Sequence, residues 1–310
     1  MMIWCRRLII NRAELLQIKG PVLLASNHPN SFLDSVILDT LFKEPVWSLA
    51  RGDVFKKPLY SRLLTKLKIL PVYRTSEGVE NLSENYKTFE ECLKIFQMNG
   101  IICIFSEGKC INEWHLRPLK KGTARLAIKA WEENIPLQVL PVGINYSSFQ
   151  RFGKNVYIKF GEIIRKENIN ISDTDGLRHQ AFNSKLKNEL EQLVFEIGKT
   201  DIQKQSKMLE IKTSVVKKLL LLIPALIGFI IHVPLFLPIK RFVFNRTSGT
   251  DHYDSVLTAI LLFAYPFYLM IIISIVLIVT KYWYAGFLLL ILPFTAWSYT
   301  QLKPQLDNHD

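Results

Sequence analysis

The sequence predicts an α/β domain followed by an α-helical membrane segment. From Pro21 to about Phe160, short apolar runs alternate with longer amphipathic stretches, as expected for a sheet flanked by helices. Beyond residue 212, apolar runs reach the roughly 20 residues that a helix needs to cross a bilayer. We therefore divide the 310-residue chain into an α/β domain over residues 1–212 and a membrane segment over residues 213–310.

The α/β domain contains six apolar runs of strand length and four amphipathic runs of helix length. The predicted strands are Val22–Ser26, Val46–Ala50, Ile69–Tyr73, Ile101–Phe105, Gln138–Ile144 and Val156–Phe160. The predicted helices are Asp34–Phe42, Pro58–Leu67, Glu80–Gln97 and Lys120–Glu132. A polar helical stretch follows over residues 174–212, with breaks expected at Gly198 and Thr200, and we assign it no chemistry.

The stretch from Phe55 to Leu67 interleaves apolar with basic residues and permits two interpretations. The basic residues are Lys56, Lys57, Arg62 and Lys66, and they stand between apolar residues at helical spacing. The helix either lies in a bilayer interface with its basic side toward lipid headgroups, or it packs on the sheet with a solvated basic face.

Composition points to an anionic surface as a partner. A formal net charge of +12 accompanies 49% hydrophobic residues. The long C-terminal apolar runs favour membrane lipids over nucleic acid, since no nucleic-acid-binding motif accompanies the charge. The cysteines at 5, 92, 103 and 110 are too scattered for a metal site or a redox pair and predict reduced thiols. The N-terminal stretch, interrupted by Arg6 and Arg7, lacks the apolar core of a secretory signal, so we expect it in the cytoplasm.

The first apolar run of the membrane segment, Leu219 to Ile239, is long enough to span a bilayer but carries prolines at 224, 234 and 238. Basic pairs flank both of its ends, and positive charge prefers the cytoplasmic side. We therefore expect a bent or re-entrant segment. His232 within it is either functional or satisfies a carbonyl that a proline has freed.

Two further apolar runs, 256–280 and 285–300, predict a helical hairpin across the membrane. The turn between them contains Lys281 and a Tyr-Trp-Tyr run, which suits a membrane interface. Both ends of a hairpin share one side. This topology predicts an integral membrane protein whose α/β domain and two termini lie on the cytoplasmic face.

The residues with the clearest chemistry follow the first predicted strand, Val22–Ser26. A polar loop with His28 leads into a helix that carries Asp34, so both side chains lie near the carboxyl end of a strand, where ligands collect in open α/β sheets. A neutral imidazole can accept a proton from an alcohol, and a neighbouring carboxylate can fix its tautomer. Alternatively, Ser31 and Asp34 form a capping box at the start of the helix.

Other polar and glycine residues follow other predicted strands, where one sheet would gather them along a single edge. Arg74 follows the third predicted strand, and Glu107 with Gly108 follows the fourth. Pro141 and Gly143 interrupt the fifth.

Taken in order, these segments resemble the four sequence blocks of the glycerolipid acyltransferase family of the PlsC type, which includes lysophosphatidate and glycerol-3-phosphate acyltransferases. The blocks are Asn-His-Pro-Asn-Ser-Phe-Leu-Asp at 27–34, Pro-Val-Tyr-Arg at 71–74, Phe-Ser-Glu-Gly at 105–108 and Leu-Pro-Val-Gly at 140–143. The resemblance implies a glycerol-phosphate-acyltransferase-like sheet, with His28 as the base and Asp34 as its partner. It further implies that Arg74 contacts the acceptor phosphate and that Glu107 and Gly108 shape the acceptor pocket.

Two departures from the family pattern concern the first and third blocks. Five residues separate His28 from Asp34 where four are commonest, so the loop at 29–31 must absorb one extra residue. Lys109 and Cys110 stand where a hydroxyl residue usually follows Glu-Gly. Lys109 either binds phosphate or points to solvent. Cys110 is a poor candidate for a covalent acyl carrier, because the sequence identifies no base to deprotonate it.

The resemblance implies transfer of a fatty acyl group from acyl-CoA or acyl-ACP to a hydroxyl of glycerol-3-phosphate or lysophosphatidate, in phospholipid synthesis and without a metal or other cofactor. One alternative uses another acceptor, such as a different lyso-lipid or an amino-acid-based lipid. A second alternative is a non-catalytic membrane module that binds lipid. A hydrolase is disfavoured, because no Gly-x-Ser-x-Gly nucleophile elbow is present.

Overall fold

The computed structural model describes residues 4–73, 82–169 and 174–307. They form two compact units. The sheet unit comprises Ile10–Ile144 and Ile158–Glu196, and the helical unit comprises Met1–Ile9, Asn145–Tyr157 and Ile197–Asp310. These limits differ from the predicted division at residue 212, since two segments from the first half of the chain are grouped with the C-terminal helices.

Seven strands form one sheet in the order β1-β7-β6-β2-β5-β3-β4. They are β1 (Cys5–Ile10), β2 (Val22–Ser26), β3 (Val46–Arg51), β4 (Ile69–Val72), β5 (Ile101–Phe105), β6 (Gln138–Tyr146) and β7 (Lys154–Phe160). The pairs β2–β5, β2–β6, β3–β5 and β3–β4 are parallel. The predicted α/β class is confirmed.

The prediction missed β1, and its composition explains why. The strand carries Arg6 and Arg7 among apolar residues and lies at one edge of the sheet, where charged side chains are tolerated. The six predicted strands are present with ends that move by at most two residues. The central strand β2 is buried along its whole length, as its unbroken apolar run indicates.

Nine α-helices occupy the described part of the chain. They are α1 (Phe32–Leu41), α2 (Pro58–Lys66), α3 (Leu82–Gln97), α4 (Lys121–Glu132), α5 (Asp175–Leu193), α6 (Ile202–Leu209), α7 (Val215–Thr247), α8 (Tyr253–Thr280) and α9 (Leu288–Leu302). A 3₁₀ turn, Trp283–Phe287, precedes α9. The breaks expected at Gly198 and Thr200 fall between α5 and α6.

The strand order assigns the helices of the sheet unit to two faces. The connections through α1 and α2 step toward β4, whereas those through α3 and α4 step back from it. Because such connections are nearly always right-handed, α1 and α2 cover one face and α3 and α4 cover the other. The main core lies on the second face, where Phe96, Leu126, Trp131 and Phe182 belong to one buried cluster. The face covered by α3 and α4 therefore carries the main core.

Gly143 of the fourth block allows a close approach between β6 and the end of α5. A Cβ at this position would stand 2.5 Å from Cβ of Leu193 and 2.8 Å from its carbonyl carbon. The absence of a side chain at Gly143 is thus required by the close packing of β6 against Leu193 at the end of α5.

In the helical unit, α7, α8 and the segment Trp283–Leu302 are long and apolar enough to cross a membrane, judged by length and composition among the described residues. The helix α7 continues through all three prolines that the sequence shows. Whether it is re-entrant stays a prediction, as does the hairpin. Both ring nitrogens of His232 form hydrogen bonds with nearby residues. Nδ1–H donates to the Gly228 carbonyl at 2.7 Å, and the Tyr265 hydroxyl donates to Nε2 at 3.1 Å. These bonds favour the interpretation of His232 as a structural residue.

The helical unit also contains a buried ion pair. Lys154 Nζ lies 2.5 Å from Asp254 Oδ2, and both side chains are fully buried. Arg6 donates to the carbonyls of Thr300 at 3.0 Å and Lys303 at 2.6 Å, which satisfies orphan carbonyls at the end of α9. These contacts explain why residues near 6 and 154 belong to the same unit as the C-terminal helices.

Candidate active site

The sheet register brings the first, third and fourth blocks to one edge. Ser26, the last residue of β2, is paired with Phe105 at the end of β5 and with Val142 in β6. The loops that begin at residues 27 and 106 therefore start side by side at the carboxyl edge of the parallel strands, where α/β sheets bind ligands.

His28 and Asp34 are in direct contact across this loop. Nδ1 of His28 lies 2.8 Å from Oδ2 of Asp34, whose side chain is fully buried in the first turn of α1. The same oxygen accepts the backbone N–H of Asn30 at 2.8 Å. Ser31 makes no side-chain capping bond, so the capping-box interpretation is wrong. When Nδ1 carries the proton and donates to Asp34, Nε2 is left with its lone pair as an acceptor.

The ring of His28 is also held by Phe105. Their ring centroids are 3.9 Å apart and their planes differ by 11°. The His28 side chain keeps 17% of its surface exposed. The imidazole is therefore oriented by a carboxylate and an aromatic face while it remains open to an incoming group.

Glu107 connects the first block to the third. Its Oε2 accepts the backbone N–H of His28 at 2.9 Å, and its Oε1 accepts that of Arg117 at 2.9 Å. The side chain is buried. Burial raises the pKa of the Glu107 carboxyl, while the hydrogen bonds from Arg117 and His28 act in the opposite direction. Glu107 thus holds two loops together through their main chains.

The loop at 29–31 has a strained backbone at Ser31, with φ +50° and ψ −141°. The N–H of Ser31 donates to Sγ of Cys110 at 2.9 Å. Asn112 supports the same loop, since its side-chain amide donates to the Pro29 carbonyl at 2.7 Å. The two departures from the family pattern therefore meet in space. Cys110 is buried and its sulfur faces an amide.

Gly108 and Lys109 differ in their surroundings. Gly108 has φ +68°, and a Cβ there would stand 3.0 Å from Cγ of Lys120, so the turn favours glycine. Lys109 is exposed to solvent. Arg74, the predicted phosphate contact, lies outside the described residues.

Asn27 and Phe105 are site residues to which the sequence analysis gave no role. Asn27 pairs with β6: its side-chain N–H donates to the Ile144 carbonyl at 2.9 Å, and its Oδ1 accepts the Ile144 N–H at 2.8 Å. The sequence did carry a signal for Asn27, because a polar residue stands there directly after a buried strand. The ring contact of Phe105 had no such signal, since it depends on the pairing of β2 with β5.

A cleft of about 870 Å³ lies between the loop at 115–121 and one side of α5. Its charged lining residues are the cations Arg117, Lys121 and Lys187 and the carboxylates Glu191 and Glu196, and His179 faces it from α5. Lys187 pairs with Glu191 at 3.3 Å. Burial and then the charge of Arg125 lower the pKa of His179. The cleft adjoins the His28 loop through Arg117, whose main chain is bound to Glu107. Within the described ranges, no group of three or more His, Cys, Asp or Glu side chains could hold a metal ion.

Comparison with known proteins finds acyltransferase matches for the part of the chain that holds the four blocks. Residues 7–145 match the family described as Acyltransferase. An uncharacterized acyltransferase from Schizosaccharomyces pombe (strain 972 / ATCC 24843) is 27% identical over 142 residues, which cover 45% of this chain and 19% of the relative. The chain thus spans about a fifth of the length of that curated relative.

Among solved structures, the chain has a likeness to the 1-acyl-sn-glycerophosphate (LPA) acyltransferase PlsC from Thermotoga maritima. The identity is 16% and the TM-score is 0.42, with 60% of this chain and 72% of that chain covered. All four sequence blocks, from residue 27 to residue 143, fall inside the segment that matches the family. The family resemblance seen in the sequence is confirmed for residues 7–145, which match the family described as Acyltransferase.

Proposed function

We propose that this protein transfers a fatty acyl group from a thioester carrier to a hydroxyl of a glycerol-phosphate-type acceptor, glycerol-3-phosphate or lysophosphatidate. The observation that carries the proposal is the contact of 2.8 Å between His28 and the buried Asp34 at the open edge of the sheet. The match of residues 7–145 to the family described as Acyltransferase supports acyl transfer as the reaction class.

In the proposed mechanism, Nε2 of His28 accepts the proton of the acceptor hydroxyl as its oxygen attacks the thioester carbonyl. A tetrahedral intermediate forms and then loses the carrier thiolate. The imidazolium returns the proton to that sulfur, which yields an ester and a free thiol. Asp34 stabilises the imidazolium, and such general-base assistance typically contributes about 10²- to 10⁴-fold in rate.

The acceptor's phosphate group is expected near the second and third blocks. Arg74 is proposed as its main contact, on the basis of the family resemblance, and exposed Lys109 as a second cation. Gly108 shapes the same pocket. Glu107 is proposed to shape it through the two loops whose amides it binds.

The cleft beside α5 is proposed to take the phosphates of the carrier, acyl-CoA or acyl-ACP, with Lys121 as a phosphate contact. Lys121→Gln should raise KM for the thioester donor and leave KM for the acceptor unchanged, since Lys121 lines the cleft. Lys129→Gln is the matched control, because Lys129 stands on the same helix, pairs with Glu133 at 3.3 Å and is not a lining residue. Equal effects of the two substitutions would assign the donor to another surface.

The segments α8 and Trp283–Leu302 are proposed to cross the membrane as a hairpin, with the acyltransferase domain and both termini on the cytoplasmic face. Reporters fused to the two termini test this topology. A C-terminal reporter that is active only outside the cytoplasm would contradict it.

The decisive experiment incubates detergent-solubilised full-length protein with labelled acyl-CoA or acyl-ACP and a panel of acceptors. We expect a labelled ester with glycerol-3-phosphate or lysophosphatidate, and loss of that ester in His28→Ala. His252→Ala is the control, because His252 is an exposed histidine at the start of α8. Ester formed only with another lyso-lipid or an amino-acid-based lipid would reassign the acceptor, and binding without any new ester would indicate a lipid-binding module.

A further inference from the structure

We infer that the exposed side of α2 is a docking surface for an anionic lipid bilayer. This surface, called here the α2 face, consists of Leu59, Leu63 and Leu67 with the neighbouring Arg62 and Lys66. It extends the proposed function without depending on it.

The α2 face is apolar and uncovered. Leu59, Leu63 and Leu67 are 74%, 53% and 60% exposed. None of the α2 side chains that the structure describes is buried. At about 100° per residue, the three leucines fall within about 80° of one another around the helix axis. A soluble surface helix normally turns such a stripe toward the core, and here the stripe points away from it.

The charges beside this stripe select an anionic partner. Residues 56–68 contain five Lys and Arg residues and no Asp or Glu. Arg62 and Lys66 lie within about 60° of Leu59 on the side away from Leu67, at the edge of the stripe. Leucines bordered by basic residues are the arrangement of a helix lying in a bilayer interface, where lysine and arginine reach anionic headgroups.

A second copy of the chain is a poorer occupant. A two-fold contact through the α2 face would bring Arg62 and Lys66 of both copies together, and like charges in a contact are costly. A bilayer is the better-supported partner, since the described part of the chain contains three helices long and apolar enough to span one.

The neighbouring helix α1 has the same character. Phe32 and Val36 are exposed one turn apart, while Asp34 between them is buried against His28. The right-handed connections place α1 and α2 on the same face of the sheet. A lipid-embedded acceptor arriving at this face would therefore find the imidazole close to the bilayer surface.

The test uses full-length protein in lipid nanodiscs with a fluorophore on a single introduced cysteine. The native cysteines Cys5, Cys92, Cys103 and Cys110 are all buried, and burial raises the pKa of Cys92 to about 12, so an exposed introduced thiol reacts selectively. Leu63→Cys places the probe on the α2 face. Thr65→Cys is the matched control, exposed on the same helix about 160° away.

Lipids with brominated acyl chains should quench the probe at position 63 at least about twofold more than the probe at position 65, because apolar faces of interfacial helices enter the acyl boundary. The difference should shrink with purely zwitterionic lipid. Equal quenching at the two positions would overturn the inference, and so would a disulfide between two copies through Leu63→Cys, which would assign the face to a dimer. Because quenching needs no turnover, it is measured equally in His28→Ala, so failure of the proposed reaction and failure of docking remain distinguishable.

A kinetic test adds a readout that depends on the membrane. Leu59→Ser with Leu63→Ser should raise KM for an acceptor embedded in a bilayer by about tenfold, since several buried methylenes are lost. The same variant should leave kcat and KM for a short-chain, water-soluble acceptor unchanged. An equal loss with both acceptors would contradict membrane docking.

Discussion

The backbone N–H of His28 donates to Oε2 of Glu107 at 2.9 Å. The other oxygen of Glu107 accepts the backbone N–H of Arg117, so one buried carboxylate joins the loop of His28 to the loop at 115–121 that lines the cleft beside α5. Both oxygens of the Glu107 carboxylate accept main-chain N–H groups, so its observed contacts position the two loops. The role of Glu107 as a substrate-binding residue stays a prediction, whereas its position as a link between blocks is a structural finding.

Replacing Asp34 by Asn tests the orientation of the base. The amide lacks the charge that stabilises the imidazolium and can present an N–H toward Nδ1, which favours the wrong tautomer. We expect kcat to fall about 10²- to 10⁴-fold with little change in KM. Asp39→Asn is the control on the same helix, because Asp39 is exposed and accepts a backbone N–H from Val46 that Asn can also accept. Equal kcat values for the two variants would exclude Asp34 from the proposed mechanism.

Replacing Glu107 by Gln tests the link between the loops. Gln offers one acceptor and one NH₂ group to two N–H donors, so one buried hydrogen bond is lost at a cost of about 1–3 kcal/mol. We expect a lower melting temperature together with a lower kcat, since the amide of His28 is one of the two donors. Glu113→Gln is the comparison: Glu113 pairs with the Arg117 side chain at 3.2 Å and binds no amide of the His28 loop. A Glu107→Gln protein with wild-type kcat would show that the link is dispensable.

Replacing Gly108 by Ala tests the turn after the third block. An alanine at φ +68° costs about 1–2 kcal/mol, and its Cβ would press on the Lys120 side chain at 3.0 Å. Gly176→Ala should raise the stability of the protein, because that glycine lies in the first turn of α5 with open space around its Cβ position. Thermal unfolding of the two purified variants measures the contrast. A stabilised Gly108→Ala protein would contradict the turn geometry.

Replacing Cys110 separates a structural sulfur from a covalent one. Cys110→Ser keeps an acceptor for the Ser31 N–H and should retain most of the wild-type turnover. Cys110→Ala removes that acceptor, and we expect a partial loss of kcat as the strained loop relaxes. Mass spectrometry of the protein during turnover should find no acyl group on residue 110. An acylated Cys110, with Cys110→Ser inactive, would establish a covalent route instead.

The buried pair of Lys154 and Asp254 predicts strong coupling in the helical unit. Removing one partner leaves the other charge buried, at a cost of about 3–5 kcal/mol, whereas replacing both with apolar residues costs less. Lys154→Met, Asp254→Leu and the double variant form a mutant cycle. We expect the double variant to be more stable than the sum of the single effects by about 1–3 kcal/mol in detergent unfolding experiments. Additive effects would show that the contact stabilises nothing.

Much of the sheet unit could be predicted because its strands are short apolar runs that are buried along their length. Val22–Ser26 and Ile101–Phe105 were predicted with their observed ends. The edge strand β1 escaped detection, since Arg6 and Arg7 interrupt its pattern. Of the site, His28 and Asp34 were predicted as partners, and their contact is observed. The contacts of Asn27 and Phe105 were not foreseen, because they depend on which strands lie side by side.

The class of the sheet unit, the long apolar helices and the histidine and carboxylate of the candidate site could all be inferred from the amino-acid sequence. These features are local, since each depends on residue type and on spacing along the chain. Only the tertiary structure decided that Cys110 supports Ser31, that Glu107 joins two loops, and that the leucines of α2 remain uncovered. Such relationships depend on strand order and register, which bring residues about 80 positions apart into contact through pairings that no local pattern encodes.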